Sequence, residues 1–248
     1  MDNTRLFSDK AEIYDKYRPA YPIEIIRYLS QFVTPADVVA DIGAGTGKFT
    51  KMLCHLGCNL IAVEPNKEML LKACDYLQNY DNLTLIRSSA EDTSLAENSI
   101  KLITCAQAFH WFDAEAFKKE CQRILKPEGK VLVLWNTADY STEIVKSMND
   151  INERYCKGYS QHETPLHGHS ENIKLLFDGD YETILLKNDL SFDMESFIGN
   201  RLSRSYAPKE KDKNYKPFLA ELRQFFEKYQ SEGKIVIPNV TECYIGTV

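Results

Sequence analysis

Three glycines and one carboxylate in the first third of the chain have the spacing of a nucleoside-binding site. Gly43, Gly45 and Gly47 follow an apolar run that ends at Ile42, and Glu64 follows a second apolar run. Glycines let the backbone turn sharply and approach a ligand closely. A carboxylate at the tip of the second strand of an α/β sheet is placed to accept hydrogen bonds from ribose hydroxyls. The pattern therefore indicates a nucleoside-containing ligand.

The glycine spacing excludes two common phosphate-binding loops. The dinucleotide pattern Gly-x-Gly-x-x-Gly does not fit, because the third glycine, Gly47, comes one position too early. The Walker loop requires Ser or Thr after its lysine, whereas Lys48 is followed by Phe49. A glycine-rich turn without any ligand is the alternative interpretation.

Alternating strand and helix patterns would position these residues. Strands are predicted at residues 38–42, 59–63, 83–87, 99–105, 130–135 and 183–192, with final strands at 234–238 and 241–248. Helices are predicted at residues 48–56, 67–77, 142–155, 194–202 and 215–229, and another after Asp113. Asn66 and Asp113 have side chains suited to cap the helices that follow them. The glycine turn and Glu64 then each follow the end of a strand.

The two motifs together resemble a known family. The run Asp-Ile-Gly-Ala-Gly-Thr-Gly from Asp41 to Gly47, followed by Val63-Glu64-Pro65, resembles motifs I and II of the class I S-adenosylmethionine-dependent methyltransferases. In that family the glycine turn packs against the methionine and ribose parts of the cofactor, and the acidic residue binds both ribose hydroxyls. The resemblance assigns cofactor contacts to Asp41, Gly43, Ala44, Gly45, Gly47, Glu64 and Pro65.

The resemblance also implies the fold and the organisation of the chain. It implies a Rossmann-like, doubly wound α/β sheet of seven mostly parallel strands with an antiparallel last strand, in a single methyltransferase domain. The expected parts are lid helices at residues 1–35, a cofactor-binding core at 36–136, substrate-side insertions around strand six at 137–230, and final strands at 234–248. The lid and the insertions would form a helical cap.

The turn after the third strand is the expected adenine site. In the family an acidic turn at this place holds the adenine through a carboxylate or a backbone amide. Ala90 and Glu91, in Ser88-Ser89-Ala90-Glu91-Asp92, match it best. The alternative is a solvated acidic loop.

Polar and aromatic residues follow the fourth strand. Ligands of open α/β sheets bind outside the carboxyl ends of the strands, and in this fold the end of strand four borders the transferred methyl group. The segment Gln107-Ala-Phe-His110-Trp111-Phe112 is similar to Gln-x-x-His-Trp-Phe in trans-aconitate methyltransferase-like members of the methyltransferase type 11 group. The resemblance assigns Gln107 to the cofactor and His110 and Trp111 to the acceptor.

The N-terminal segment resembles the one that folds over the cofactor in trans-aconitate-like enzymes. There, aromatic and arginine side chains lie near the methionine carboxylate. By this resemblance Tyr17 and Arg18 are candidates for the cofactor and Tyr14 for the acceptor. A surface helix whose tyrosines pack on the sheet is an equal alternative.

Two arginines lie in a segment that resembles the serine-rich cover of the substrate in trans-aconitate-like enzymes. Arg201, Arg204 and Tyr206 are candidate acceptor-binding residues, because guanidinium groups bind carboxylates bidentately. The alternative, a pair of surface charges, is slightly favoured by the sequence alone.

Composition limits the partners and the compartment. The chain has 248 residues with a net charge of −6, a poor match for a nucleic-acid binder, which needs a basic face. The 7 cysteines show no Cys-x-x-Cys pattern, which favours reduced thiols and a reducing compartment. Neither a secretory signal nor a membrane-length apolar run is seen, so we expect a cytoplasmic protein, monomeric or homodimeric.

A polar loop at residues 158–179 contains His162, His167 and His169. The spacing His-x-x-x-x-His-x-His is not that of a recognised metal site, so no metal site is predicted.

These features predict methylation of a small molecule, with S-adenosylmethionine as the cofactor. Direct transfer to a carboxylate needs no base, whereas a hydroxyl acceptor needs one, such as His110. His110 either acts as that base, orients the acceptor, or only shapes the pocket. A non-catalytic S-adenosylmethionine-binding protein is the first alternative. An NAD(P)-dependent oxidoreductase is the second, disfavoured by the glycine spacing.

Overall fold

The computed structural model describes residues 21–159, 170–204 and 206–248. The strands in these residues are β1 Val38–Ile42, β2 Asn59–Val63, β3 Leu83–Ile86, β4 Ile100–Ala106, β5 Leu125–Ala138, β6 Tyr181–Lys187, β7 Leu190–Phe192, β8 Ile235–Ile237 and β9 Asn239–Gly246. All except β7 and β8 belong to the main sheet, which has seven strands. The order in the main sheet is β3-β2-β1-β4-β5-β9-β6. β1 to β5 pair in parallel, and β9 is antiparallel to both β5 and β6. The predicted fold class is confirmed.

Helices connect the strands, mostly where the sequence predicts them. They are α1 Glu24–Leu29, α2 Lys48–Leu53, α3 Lys67–Leu77, α4 Ala114–Ile124, α5 Glu143–Tyr155, α6 Ser170–Leu176, α7 Met194–Leu202 and α8 Tyr215–Tyr229. The side chain of Asn66 accepts hydrogen bonds from the amides of Glu68 and Met69, and that of Asp113 from the amide of Ala116, so both predicted caps are confirmed. Within the described parts of the chain, no helix has the length and apolarity needed to cross a membrane.

The single strand predicted at residues 183–192 is two strands in the structure, and its continuity is wrong. β6 ends at Lys187, and β7 pairs with β8 in a separate two-stranded sheet. Asn188 marks the break, because its side-chain amide donates to Asn136 Oδ1 at 3.0 Å and to Thr241 Oγ1 at 3.2 Å. These bonds hold the chain at the edge of the main sheet before it turns away.

Apolar residues cover both faces of the main sheet, because successive side chains of a strand point to opposite faces. Ile42, Ile103 and Val133 lie in one buried cluster, which α4 and α6 help to cover. Val39 and Leu102 lie in a second cluster on the other face, which α1 and α2 help to cover. The carboxyl ends of the parallel strands therefore meet at one edge between these two layers.

A third apolar cluster lies beyond the carboxyl end of β5. It is formed by α5, α7, α8 and the β7–β8 pair. The rings of Phe197 and Phe225 stack in its centre, with centroids 5.8 Å apart. The cluster is tied to the main sheet where the amide of Asp139 donates to the carbonyl of Pro238 at 2.9 Å. α5, α7, α8 and the β7–β8 pair thus build a layer next to the edge where the strands end.

Candidate cofactor and acceptor site

The glycine turn between β1 and α2 has a backbone that only glycine adopts easily. Gly43, Gly45 and Gly47 have φ angles of 74°, 59° and 84°. A Cβ on Gly43 would lie 2.6 Å from the Cβ of Ala108 and 3.0 Å from Cζ of Phe112. The turn is therefore packed directly against the segment that follows β4, whereas a Cβ on Gly45 would meet nothing within 4 Å, so a ligand can approach the turn there.

Glu64 connects the end of β2 to this turn. Its Oε2 accepts from the amide of Gly45 at 2.9 Å, and its Oε1 accepts from the amide of Asn66 at 2.8 Å. Burial raises the pKa of Glu64, and the two amide hydrogen bonds oppose that rise. An ionised carboxylate has about four acceptor sites, so acceptor capacity is left for two ribose hydroxyls. The glycine turn and the carboxylate together fit a nucleoside.

Asp41 supports the turn from within the sheet. Its carboxylate is 2% exposed and accepts from the hydroxyls of Thr50 at 2.6 Å and Thr104 at 2.9 Å. Burial raises its pKa to about 6, although the two hydroxyls lower it. Asp41 therefore joins β1, α2 and β4 beneath the glycine turn. Its predicted direct contact with the cofactor stays a prediction.

The predicted adenine turn lies against the start of α4. Ala90 is buried, and Oε1 of Glu91 accepts from the amide of Asp113 at 3.1 Å. Next to this turn, both the amide and the hydroxyl of Thr93 donate to Oε1 of buried Glu120. Contacts with the start of α4 thus hold the turn. Because Ala90 is buried, the alternative of a solvated loop does not apply to this residue. The contact with adenine stays a prediction.

Gln107 follows β4 in a strained conformation. Its φ is 58°, in the left-handed region that non-glycine residues rarely adopt. Its amide donates to the carbonyl of Leu134 at 2.9 Å, and its side-chain Nε2 donates to the carbonyl of Asn136 at 3.2 Å. Strain of this kind concentrates at functional sites. The bonds to β5 hold the segment that leads to His110.

His110 and Trp111 lie on the short 3-10 turn Phe109–Trp111 at the carboxyl end of β4. His110 is exposed, and Trp111 is 41% exposed. Their rings lie 4.8 Å apart at 46°. The indole Nε1 of Trp135 donates to Nδ1 of His110 at 3.2 Å. The structure thus brings both predicted acceptor residues to the edge where the glycine turn lies.

The two candidate arginines lie in the third layer beside tyrosines. Arg201 is 8% exposed and its Nη2 donates to Oδ1 of Asn200, so the alternative of a surface charge is wrong for Arg201. Arg204 is half-buried. Burial raises the pKa of Tyr140, Tyr206 adds to the rise, and the charges of Arg204 and Arg201 oppose it. Arg201, Arg204 and Tyr206 therefore each lie close enough to Tyr140 to affect its pKa.

Sequence reasoning missed three residues of this region. Trp135 lies on β5 and Tyr140 follows that strand, and neither belongs to a motif. Tyr159 also belongs here: its ring lies 4.8 Å from that of Tyr206, and its hydroxyl donates to Asn149 at 2.7 Å. The only available signal for Trp135 and Tyr140 was their position at or just after the end of the fifth strand, where ligands of α/β sheets bind.

Some predictions lie outside the described residues. They concern Tyr14, Tyr17 and Arg18 of the N-terminal segment and His162, His167 and His169 of the polar loop. Among the residues that the structure does describe, no group of three or more His, Cys, Asp or Glu side chains could hold a metal ion.

Comparisons with known proteins agree with this geometry. A family model described as a methyltransferase domain matches residues 40–133. An uncharacterized methyltransferase-like protein of Schizosaccharomyces pombe is 34% identical over 157 residues, which are 62% of this chain and 60% of that protein. An uncharacterized methyltransferase of Mycobacterium tuberculosis is 35% identical over 151 residues, 60% of each chain. The chain thus spans about 60% of the length of these curated relatives.

A solved structure shows the same fold. It is a candidate type II methyltransferase from Anaeromyxobacter dehalogenans, with a TM-score of 0.70 and 19% identity, and the match covers 93% of this chain and 98% of that one. The trans-aconitate-like subtype stays a prediction. The matched domain and the relatives support a class I S-adenosylmethionine-dependent methyltransferase, with S-adenosylmethionine as the cofactor, and the fold agrees with it.

Proposed function

We propose that this protein transfers the methyl group of S-adenosylmethionine to an oxygen, a carboxylate or a hydroxyl, of a small molecule. One observation carries the proposal. The glycine turn after β1 packs directly on the segment after β4, because Gly43 has no room for a Cβ beside Ala108 and Phe112. That segment continues into exposed His110 and Trp111. Cofactor-side and acceptor-side groups therefore share one edge of the sheet.

Positive charge in the layer beyond β5 supports an anionic acceptor. Arg201, Arg204 and Tyr206 lie near Tyr140 in this layer. A guanidinium group can bind a carboxylate through two parallel hydrogen bonds, and tyrosine hydroxyls can add further bonds. The net charge of −6 argues against nucleic acid as the acceptor. A monomer or a homodimer without a nucleic-acid or membrane partner would be sufficient for this activity.

The residues of this chain have positioning tasks in such a reaction. When bound, the cofactor supplies a methyl group already activated by a sulfonium leaving group. Glu64 and the glycine turn hold the nucleoside, while Asp41 keeps the turn in place through Thr50 and Thr104. Direct transfer then depends on holding the acceptor oxygen in line with the bond between the methyl carbon and sulfur, and on excluding water.

The test has a binding stage and a turnover stage. Calorimetric titration with S-adenosylhomocysteine, with NAD as the control, measures cofactor recognition. We expect one-to-one binding of S-adenosylhomocysteine and no heat with NAD; the reverse result would contradict the proposal. Methyl transfer is then measured with radiolabelled cofactor and a panel of small carboxylates, alcohols and phenols. Binding without turnover across the panel would favour the non-catalytic alternative.

A further inference from the structure

A hydrogen bond from buried Trp135 holds the imidazole ring of His110 in position. Trp135 lies on β5 and is 1% exposed. Its ring packs between Phe109, at 6.3 Å, and Tyr244, at 6.0 Å. The hydroxyl of Tyr244 donates to Glu242 at 3.1 Å, so its ring is held in turn. The indole has little freedom to rotate, and its Nε1 stays directed at Nδ1 of His110.

The chemistry of the two rings determines where the imidazole proton resides. An indole N–H donates and never accepts. Nδ1 of His110, 3.2 Å from the indole nitrogen, must therefore accept and carry no proton. A neutral imidazole has one proton, which is then on Nε2. We propose that Trp135 is a positioning residue that holds His110 in the Nε2–H tautomer, so that His110 donates a hydrogen bond to the acceptor and does not remove its proton.

This inference rests on the proposed function and selects between its two acceptor types. A general base needs an unprotonated nitrogen facing the group that it deprotonates. In the Nε2–H tautomer, the unprotonated nitrogen of His110 is the one bonded to buried Trp135. The remaining ring nitrogen offers an N–H, which suits an oxygen that is already ionised. Alcohols and phenols would require another base.

With a carboxylate acceptor the reaction balances without any proton transfer. The carboxylate oxygen forms a bond to the methyl carbon, and the bond between that carbon and sulfur breaks. The electron pair of the broken bond returns to sulfur, and the products are a methyl ester and a neutral thioether. The Nε2–H of His110 can hold the acceptor during transfer, and no residue has to be protonated afterwards.

The tautomer is measured directly by NMR on ¹⁵N-labelled protein without any ligand. His110→Gln identifies the His110 signals by their loss. We expect a protonated Nε2 and an unprotonated, hydrogen-bonded Nδ1 in the wild type. Trp135→Phe keeps an aromatic ring but lacks the N–H. In this variant the ¹⁵N chemical shift of Nδ1 should move towards that of an imidazole nitrogen that accepts no hydrogen bond. A protonated Nδ1 in the wild-type protein would overturn the proposal.

Turnover with a carboxylate acceptor tests the donor role. His110→Gln keeps an N–H donor that cannot act as a base, whereas His110→Phe keeps only the ring. We expect His110→Gln to retain most of the activity and His110→Phe to lose roughly 10- to 100-fold in kcat/KM, the effect of one charge-assisted hydrogen bond. Equal losses of roughly 100-fold or more in both variants would mean that an N–H donor at this place does not support turnover, and would refute the donor role.

A purely structural role of Trp135 would give a different result. Trp135→Phe should lower kcat/KM for the acceptor and leave the Kd for S-adenosylhomocysteine nearly unchanged, while the melting temperature falls because a smaller ring occupies a fully buried place. A large rise in that Kd would mean that the indole only supports the fold. If no acceptor is turned over, the proposed function fails, while the NMR result still decides the tautomer.

Discussion

The cofactor side and the acceptor side of the site are built in different ways. On the cofactor side, the groups that would contact the ligand follow two paired strands, β1 and β2, and are joined by hydrogen bonds from backbone amides, such as that from the Gly45 amide to the Glu64 carboxylate. On the acceptor side, the groups come from three distant parts of the chain, namely the end of β4, the end of β5 and the region around α7. Their contacts are between side chains, such as those of Trp135 and His110.

This difference has a consequence for substitution. A site made of backbone turns tolerates few changes, because the turn geometry itself is the ligand contact. A site made of side chains on separate elements can change its specificity without loss of the fold. We therefore expect substitutions on the cofactor side to affect binding and stability together, and substitutions on the acceptor side to affect only the acceptor.

The largest effect is expected on replacing Glu64. Glu64→Ala removes the acceptor of the Gly45 amide and the predicted acceptor of two ribose hydroxyls. Hydrogen bonds to charged groups contribute roughly 1.5–3 kcal/mol each, so the Kd for S-adenosylhomocysteine should rise by at least about 100-fold in calorimetry. Glu210→Ala, at an exposed carboxylate, is the matched control and should bind like the wild type. Unchanged affinity in Glu64→Ala would remove the basis for the cofactor site.

Replacing Asp41 should change how stability depends on pH. Burial raises the folded-state pKa of Asp41 from 3.8 to about 6. The folded protein thus holds this proton more tightly than the unfolded chain, and its contribution to stability is full below about pH 4 and is lost as the pH rises to about 6. Asp41→Asn keeps partners for Thr50 and Thr104 but does not titrate.

The measurement is the free energy of denaturant unfolding as a function of pH. The advantage of Asp41→Asn over the wild type should grow by roughly 1.4 kcal/mol per pH unit between about pH 4 and pH 6, and then remain constant. Parallel pH profiles for the two proteins would mean that Asp41 ionises normally despite its burial.

A smaller loss of stability is expected at the glycine turn. In Gly43→Ala the new Cβ would lie 2.6 Å from Ala108, whereas at Gly57, with a φ of 69°, a Cβ would meet nothing within 4 Å. Both variants have the strain of a positive φ, and only Gly43→Ala adds overlap, which costs roughly 1–3 kcal/mol. Thermal unfolding of the two proteins isolates that difference. Equal melting temperatures would show that the segment after β4 shifts to accommodate the new Cβ at little cost in free energy.

The smallest effect should appear on the acceptor side. Arg201→Lys keeps the charge of this buried group but removes the planar pair of donors that binds a carboxylate. The KM for a carboxylate acceptor should rise about tenfold, equivalent to one hydrogen bond, while the Kd for S-adenosylhomocysteine stays the same. A similar rise in both the KM for the acceptor and the Kd for S-adenosylhomocysteine would remove the distinction between the two sides of the site.

Local patterns were sufficient for much of the fold and for the cofactor side. The helices Lys67–Leu77, Met194–Leu202 and Tyr215–Tyr229 have their predicted bounds, because apolar periodicity and caps such as Asn66 are local features. The prediction at residues 183–192 failed, because apolar periodicity continues through a break that depends on the distant partners of Asn188, namely Asn136 and Thr241.

The amino-acid sequence by itself determined the glycine turn, Glu64 and the order of strands and helices, since each depends on residues that are neighbours in the chain. Only the tertiary structure decided that Arg201 is buried, that Asp41 supports the turn through Thr50 and Thr104, and that Trp135 sets the proton position of His110. The hydrogen bond from Trp135 to His110 joins residues 25 positions apart, and that from Thr104 to Asp41 joins residues 63 positions apart. Such pairs exist only once the sheet brings the strands together, because burial and hydrogen-bond partners are properties of the packed chain and not of its local pattern.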